Sequence, residues 1–534
     1  MKKALSVFLA SALLALTVLL AACGNTPAEP TTGSSDTTKS QQETTSAASA
    51  SDTQGETTSS ATDGTTASSE TTGTSVKELN GREKHPDFMD ANFGGKTFNF
   101  AVSKGWSGGW DCYEIYAEAT GDDDIITEAI ITRNNVVESL YNCKIRDTKT
   151  DAPGDLLNND IALGTNNYDF IMKLFYGLST SYMNMATLDI DYTNSWWNQS
   201  YIDAMTFNYN GTKVTHSVSG KFNLIMYDSI VTLFADLDIY DSAVASGKTN
   251  IDLYETVRSG KWTIDTMLTL MDAAKTDTNG DSVMSFDDGD IYGIVINPNV
   301  LAQFGLLYGT GLMTVTKDEN GAYVGMNAEN TDYTYVNNVI NKASEVYKSS
   351  ACGQIGEKNT VKAVANGQAL FNVQWMIRMH STDELINYGI DFGDKRLAIL
   401  PFPKYDENQE NYATFVSNRG YGLSVSKAIK DPKAISQFLE VFAYHSEMLL
   451  YPEYVKCIKT QCLADEKAGD MLDIVLDSMT CDYGVWCFGT GVNSRIGEMI
   501  VSGKNNFSKA IAVASKTCQN TLDKFMKETY ETMN

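Results

Sequence analysis

The chain has 534 residues, 43% of them apolar and 10% aromatic, and a net charge of −26 at pH 7. That length exceeds what one hydrophobic core usually organises, so two or more domains are expected. Three lysines against seven acids in residues 1–76 leave the rest of the chain at −22, which excludes a nucleic-acid binder built on a basic patch and suits a protein that takes neutral ligands.

The chain opens with Lys2-Lys3, the apolar-rich run Ala4–Leu20 and then Leu20-Ala21-Ala22-Cys23. These are the parts of a secretion signal over residues 1–22. A cysteine directly after the small residues resembles a bacterial lipobox, which implies cleavage before Cys23 and lipidation of its thiol. The alternatives are a plain signal peptide or a membrane anchor. Acyl chains at Cys23 would hold the protein on the outer face of the cytoplasmic membrane at ~0.8 kcal/mol per buried CH₂. Of the 53 residues Gly24–Val76, 27 are Ser or Thr. Too little apolar surface is present to offset chain entropy, so residues 23–77 are expected to be a disordered tether. No later run has the roughly 20 apolar residues of a spanning helix.

The fold is expected to start near Gly94. Thr97–Val102 alternates as a strand and ends in Gly105-Trp106-Ser107-Gly108-Gly109-Trp110. Ile126–Tyr141 has helical periodicity, and Lys144-Ile145 and Asp169–Leu174 read as the next strands, the spacing of parallel βαβ units. Ser195-Trp196-Trp197-Asn198 precedes a hairpin that turns at Asn210-Gly211. Thr263 and Asp265 open an amphipathic helix carrying Met267, Leu270, Met271 and Ala274. Asn337–Tyr347 and Glu357–Asn366 read as helices, and Ala369–Val373 as a strand running into Trp375. Leu397–Leu400 and Gly420–Val425 are further strands. Asp431 caps a helix with Pro432 in its first turn, burying Ile435, Phe438, Leu439 and Phe442.

Between the helix at Thr263 and the strand at Tyr292 lies an acidic loop. Asp277, Asn279 and Asp281 stand at positions 1, 3 and 5 of an EF-hand-like loop, with the Val283 carbonyl at 7 and Asp288 at 12. Alternating oxygen ligands suit Ca²⁺. Ser282 stands where the motif has glycine, and Asp288 is shorter than the usual glutamate. A structural calcium ion is the expected cofactor, against the simpler reading of a solvated acidic turn. Eight cysteines follow Cys23, five of them in Cys457–Cys518. No CxxC pair suggests zinc, and the spacing permits one or two local disulfides or free thiols.

The order of motifs resembles an ABC-transporter extracellular solute-binding protein of the sugar-capturing class. The matching pieces are Gly260-Lys261-Trp262-Thr263-Ile264-Asp265, the Asp277–Gly293 loop, Gly367-Gln368-Ala369-Leu370-Phe371, Leu400–Asp406 and Gly422–Lys427. The resemblance runs from about residue 95 to the C-terminus. It implies a two-lobed α/β fold, periplasmic-binding-protein-like of type II, with crossing hinge strands. It implies lobe 1 over 94–228 and about 400–446, and lobe 2 over 229–398 with the acidic loop. Residues 447–534 would be a helical region completing the lobes. It also implies a carbohydrate ligand, expected to be an oligosaccharide, and an ABC permease as partner. A monomer is expected. The cysteine cluster departs from the family's pattern.

Sugars stack their C–H faces on aromatic rings, and ligands of α/β sheets bind beyond the carboxyl ends of strands. Trp106, Trp110 and Trp375 fit that rule, and Trp196 and Trp197 are further candidates, each against a plain packing role. Trp262, just before a helix cap, reads as structural. Asp111, Arg378, Arg419 and Tyr421 are the polar candidates. The four histidines form no catalytic motif, so no enzyme is expected. Two rivals stay open: a surface glycoside-active enzyme, because carboxylates are abundant, and a binder of a non-sugar solute such as a peptide. A dockerin-type module would need a second loop.

Overall fold

The computed structural model describes residues 80–533 except 106–107, 122–123, 175–180, 299–300 and 487–490. The chain divides into Met1–Ser75 and Val76–Asn534, and every element below belongs to the second unit.

Lys96–Ser103 (β1) is followed by Ile125–Tyr141 (α1), Cys143–Thr150 (β2), Pro153–Ala162 (α2) and Phe170–Leu174 (β3). Asp124 starts α1 because its carboxylate accepts the Ile126 and Thr127 N–H groups at 2.9 and 2.8 Å. Ile126, Ile130, Val137 and Tyr141 recur at helical spacing on its buried face. Asn142, left-handed at φ 51°, ends it. β1 pairs in parallel with β2 from Lys96↔Cys143 and with β3 from Phe100↔Phe170, as the strand–helix–strand spacing predicts. Thr206–Tyr209 (β4) and Thr212–Thr215 (β5) form the hairpin, its Asn210-Gly211 turn at φ 50° and 77°. Leu224–Asp228 (α3) then leads to the second lobe.

Lobe 2 contains Val231–Asp236 (β6), Ile264–Ala274 (α4), Tyr292–Ile296 (β7), Val315–Lys317 (β8), Tyr323–Gly325 (β9), Tyr333–Lys348 (α5) and Cys352–Gln354 (β10). It continues with Glu357–Ala365 (α6), Ala369–Trp375 (β11), Ile377–His380 (α7), Thr382–Tyr388 (α8) and Leu397–Leu400 (β12). Its sheet has the order β10-β7-β11-β6-β12. β6, β7 and β11 are buried along their whole length, which is why they are apolar-rich, with the Thr232 hydroxyl and the Asn372 side-chain amide donating to backbone carbonyls. β6 runs antiparallel to both β11 and β12.

Thr414–Phe415 (β13) and Tyr421–Val425 (β14) carry the chain back. β14 joins the edge of the first sheet, order β14-β3-β1-β2, antiparallel to β3. Each sheet therefore holds one reversed strand, and it is the strand that arrives from the other lobe. The two crossing segments touch: Ile230 bridges Val416, and the Ser417 N–H donates to the Ser229 carbonyl at 3.1 Å. Pro432–Leu449 (α9) packs on lobe 1, where Phe438 stacks on Phe98 with ring centroids 3.8 Å apart. Tyr451–Gln461 (α10) then crosses toward Glu466–Asp477 (α11), which packs on β12. Met479–Thr480 (β15), Tyr483–Trp486 (α12), Val492–Ser502 (α13) and Phe507–Met533 (α14) close the chain.

Packed chain begins before Gly94, earlier than the sequence patterns suggest. The His445 Nδ1 meets the Gly81 carbonyl at 2.8 Å. The His85 ring lies 4.8 Å from Tyr444 and 5.5 Å from Trp196. The polar run Arg82-Glu83-Lys84-His85 has no apolar period, so nothing local announces this packing. The seven described cysteines after Cys23 are free thiols, and Cys23 and Cys487 lie outside the described residues. Burial raises the thiol pKa of Cys143, Cys352, Cys462 and Cys481 to about 12, which makes them poor nucleophiles.

Candidate functional site

A cavity of about 500 Å³ opens where the lobes meet. Tyr113 lines it from the segment after β1, Asp124 from the cap of α1, Asp228 from the end of α3, His380 and Asp383 from α7 and α8, and Cys457 from α10. Both lobes, one crossing segment and the crossing helix thus contribute.

Asp228 is fully buried on its floor. Its Oδ2 accepts the Tyr113 hydroxyl at 2.9 Å. Its Oδ1 accepts the Tyr454 hydroxyl at 2.8 Å and meets His380 Nε2 at 2.6 Å. Burial first, and then the Asp228 carboxylate, push both tyrosine pKa values well up, so both phenols stay protonated as donors. The result is a four-way node: lobe 1 through Tyr113, lobe 2 through His380, the crossing helix through Tyr454, and Asp228 two residues before the crossing strand β6 starts its hinge bridge at Ile230.

Glu114 sits behind this node. Its carboxylate accepts the backbone N–H of Tyr113 at 2.9 Å and of Ile225 at 3.3 Å. Burial raises its pKa to about 7, with a further push from Asp228. Buried Arg133 donates to the Glu114 and Ile115 carbonyls at 2.6 and 3.1 Å, and burial lowers its pKa to about 9. Because the folded pKa of Glu114 is above the ordinary 4.5, the native state holds an extra proton across that window. Its contribution to stability is therefore present below pH 4.5 and is lost as pH rises through about 7. Glu114→Gln is expected to gain stability relative to wild type between about pH 5 and about pH 8, read from urea unfolding at both. A difference that does not change with pH would show that Glu114 does not titrate in this window.

Beside the cavity stands an aromatic and arginine column. Trp110 and Trp375, one from each lobe, meet edge to face at 5.8 Å. The Arg419 guanidinium lies 4.4 Å from the Trp375 ring and 5.4 Å from the Trp110 ring, within cation–π range. Tyr421 donates its hydroxyl to the Trp110 carbonyl at 2.7 Å, and Trp375 Nε1 donates to Ser417 Oγ at 3.1 Å. Arg378 is almost fully buried and donates to Gln374 at 2.5 Å and Glu357 at 2.6 Å, with Glu384 at 3.4 Å. Its guanidinium also covers the Tyr388 ring at 4.0 Å. Asp111 accepts the Gly105 N–H at 2.7 Å and ties off the loop after β1. A Cβ on Gly105 would come within 2.4 Å of the Trp110 carbonyl, so only glycine allows this closure.

Of the residues singled out from sequence, Trp110, Asp111, Trp375, Arg378, Arg419 and Tyr421 gather at the lobe junction. The two rings are 1% and 2% exposed, so in this conformation they are wall and not lining. Trp106 lies outside the described residues. Trp196 and Trp197 sit in lobe 1, both donating Nε1 to Glu440, at 2.7 and 3.1 Å. Their rings pack away from the cavity, because a buried carboxylate under two indoles consumes their only polar atoms. Trp262 donates to the Pro401 carbonyl at 2.9 Å and packs on Phe371. The floor residues Tyr113, Asp228, His380 and Tyr454 carry no motif that sequence reading could find.

The acidic loop is held by its own amides. Asp277 accepts from Gly280 and Ser282, both at 2.7 Å, Asn279 from Asp281 at 3.0 Å, and Asp281 from Val283 at 2.8 Å. Asp290, not Asp288, closes the loop by accepting from Thr278 at 2.7 Å and Ser285 at 2.9 Å. Among the described residues no group of three or more His, Cys, Asp or Glu is gathered as a metal site. The Val283 side chain is 61% exposed.

Two α/β sheets, each with a reversed strand supplied by its partner lobe and a cavity between them, define a two-lobed α/β fold. No family model matches the chain, and no curated protein matches it. Solved structures do. The sugar-binding protein MalE from Xanthomonas citri is 13% identical, with 82% of this chain and 99% of that chain covered at a TM-score of 0.48. The galacto-N-biose-/lacto-N-biose I-binding protein of the ABC transporter from Bifidobacterium longum, in complex with lacto-N-biose, is 12% identical, with 81% and 98% covered at 0.47. An ABC substrate-binding protein from Listeria monocytogenes, in complex with cycloalternan, is 13% identical, with 81% and 99% covered at 0.42. Among the described residues no helix is long and apolar enough to cross a membrane.

Proposed function

We propose that this chain is a solute-binding protein that captures a carbohydrate, an oligosaccharide, between its lobes and passes it to the permease of an ABC importer. The observation that carries this reading is the cavity of about 500 Å³ whose floor, Asp228, is bonded to both lobes and to the crossing helix. Pockets of this size with a few convergent polar groups in an apolar surround are the usual form of small-molecule sites. A ligand that touches both rims favours the closed arrangement, and the closed form is what a permease can recognise. Residues 1–22 act as secretion signal and Cys23 as lipid anchor, with 23–77 as the tether, which places the binding unit on the outer face of the cytoplasmic membrane. The unit works as a monomer and performs no chemistry on its ligand.

A thermal-shift screen of the lipid-free chain against oligosaccharides and peptides tests this. Ligand at 100-fold over Kd should stabilise the fold by ~2.7 kcal/mol. A shift with peptides and none with any saccharide would overturn the sugar assignment, and cleaved saccharide would make the protein an enzyme. The Asp277–Asp288 loop is proposed to take Ca²⁺ as a structural ion. Chelation is then expected to lower the melting temperature and added Ca²⁺ to restore it; an unchanged curve means the loop is a solvated turn.

A further inference from the structure

We infer that the C-terminal helix α14 is a splint across the lobes that limits how far the cavity can open. The reading rests on the two lobes being able to move, and on nothing about the ligand.

The helix is fastened to lobe 2 along its first half. Phe507 packs edge to face on Tyr333 at 5.0 Å. Ser515 donates its hydroxyl to the Met326 carbonyl, and the Gln519 side chain accepts the Gly325 N–H at 3.0 Å while donating to the Tyr323 carbonyl at 3.3 Å. Gly325 has no room for a side chain, because a Cβ would come within 2.7 Å of Cys518 Sγ. The second half is fastened to lobe 1. Phe525 lies 6.5 Å from Phe207 on β4 and 5.7 Å from His216, and Tyr530 lies 5.2 Å from Tyr209. Met533 packs on the lobe-1 cluster of Ala101, Leu157, Ile171 and Tyr182. At 1.5 Å per residue, 27 residues make a rod about 40 Å long. Such a rod does not bend freely between its two attachments.

Under it, the β4–β5 hairpin of lobe 1 is bonded to the β8–β9 hairpin of lobe 2. The Asn208 N–H donates to the Gly321 carbonyl at 2.9 Å, its side chain to the Asn320 carbonyl at 2.6 Å, and the Tyr323 hydroxyl to the Ala204 carbonyl at 2.7 Å. Lys317 Nζ donates to the Asp203 carbonyl. Phe207, Tyr323, Tyr483 and Phe525 form a column through the contact, with Tyr323 stacked on Tyr483 at 4.1 Å. This clasp lies toward β14, which Val218, just after β5, bridges at Leu423. The cavity is lined instead by Gly109 and Tyr113 after β1, by Asp228 and by α7 and α8, and by no residue of either hairpin. Lobes held together at the hairpins part where no such bonds join them, and the clasp limits the amplitude of that parting.

Hydrogen exchange of the full chain without ligand tests the splint. The double variant Phe525→Ala with Tyr530→Ala is expected to exchange roughly tenfold faster at the cavity segments 109–115 and 377–383, with the amides of β1, β6 and β11 unchanged. Asn208→Ala, which removes a single side-chain bond from the half-buried strand β4, keeps the fold and should show a smaller rise in the same segments. Unchanged exchange at the cavity, or a uniform rise that includes the sheet strands, would overturn the inference, since α14 would then contribute only general stability. Because no ligand is present, this result is independent of whether a saccharide binds.

Discussion

Asp228→Ala is expected to cost about 3–5 kcal/mol of unfolding free energy and to abolish ligand capture. The change leaves Tyr113, Tyr454 and His380 facing one another in a buried site with no acceptor, and each buried donor without a partner costs about 1–3 kcal/mol. The costs overlap, since the groups share one acceptor. Asp228→Asn keeps the shape and one carbonyl oxygen, so its loss should be roughly half as large. Urea unfolding measures the stability, and the thermal-shift screen measures capture. An alanine variant with the wild-type urea midpoint would show that the node is not a fastening between lobes.

Trp375→Ala is expected to lower stability by about 3–5 kcal/mol, the range for truncating a fully buried large aromatic side chain. The ring touches three parts of the molecule at once: Trp110 of lobe 1, Arg419 of the returning segment and Arg378 of its own lobe. Trp375→Phe keeps a ring for Trp110 and Arg419 and drops the bond to Ser417 Oγ, a loss of about 1 kcal/mol. Differential scanning calorimetry of the two variants separates packing from the single bond. If Trp375→Ala melts with wild-type stability and loses only ligand affinity, the ring faces solute and not Trp110.

Much of the scaffold is legible in the sequence because it is written locally. The Thr263 and Asp431 caps, the Asn210-Gly211 turn and the periodicity of Ile126–Tyr141 each need only a few neighbouring residues, and each forms the element it suggests. Apolar-rich runs such as Ala369–Val373 are legible as strands for the same reason. The junction is half legible. Residue type and position at strand ends bring Trp110, Trp375, Arg378, Arg419 and Tyr421 to one place, but no local pattern says that the rings face each other instead of a cavity. The floor is not legible at all. Tyr113, His380 and Tyr454 stand 115, 152 and 226 positions from the Asp228 they bond, and such distances are set only when both lobes have folded. The packing of residues 80–93 is hidden in another way, since a histidine wedged between Trp196 and Tyr444 has no period to reveal it.

The Trp110–Trp375–Arg419 column has an optical consequence. Indole emission depends on what lies within a few ångströms of the ring; here the two indoles sit against each other and against Arg419, and Trp375 also against Arg378. Trp110 and Trp375 belong to different lobes, so any change in the angle between lobes alters the surroundings of both. The molecule thus carries its own gauge of opening, readable without a label. Stopped-flow tryptophan emission would follow the lobes directly; Trp110→Phe would leave only the Trp375 share of the change, while Trp262, sealed against Phe371 in lobe 2, adds to the constant background.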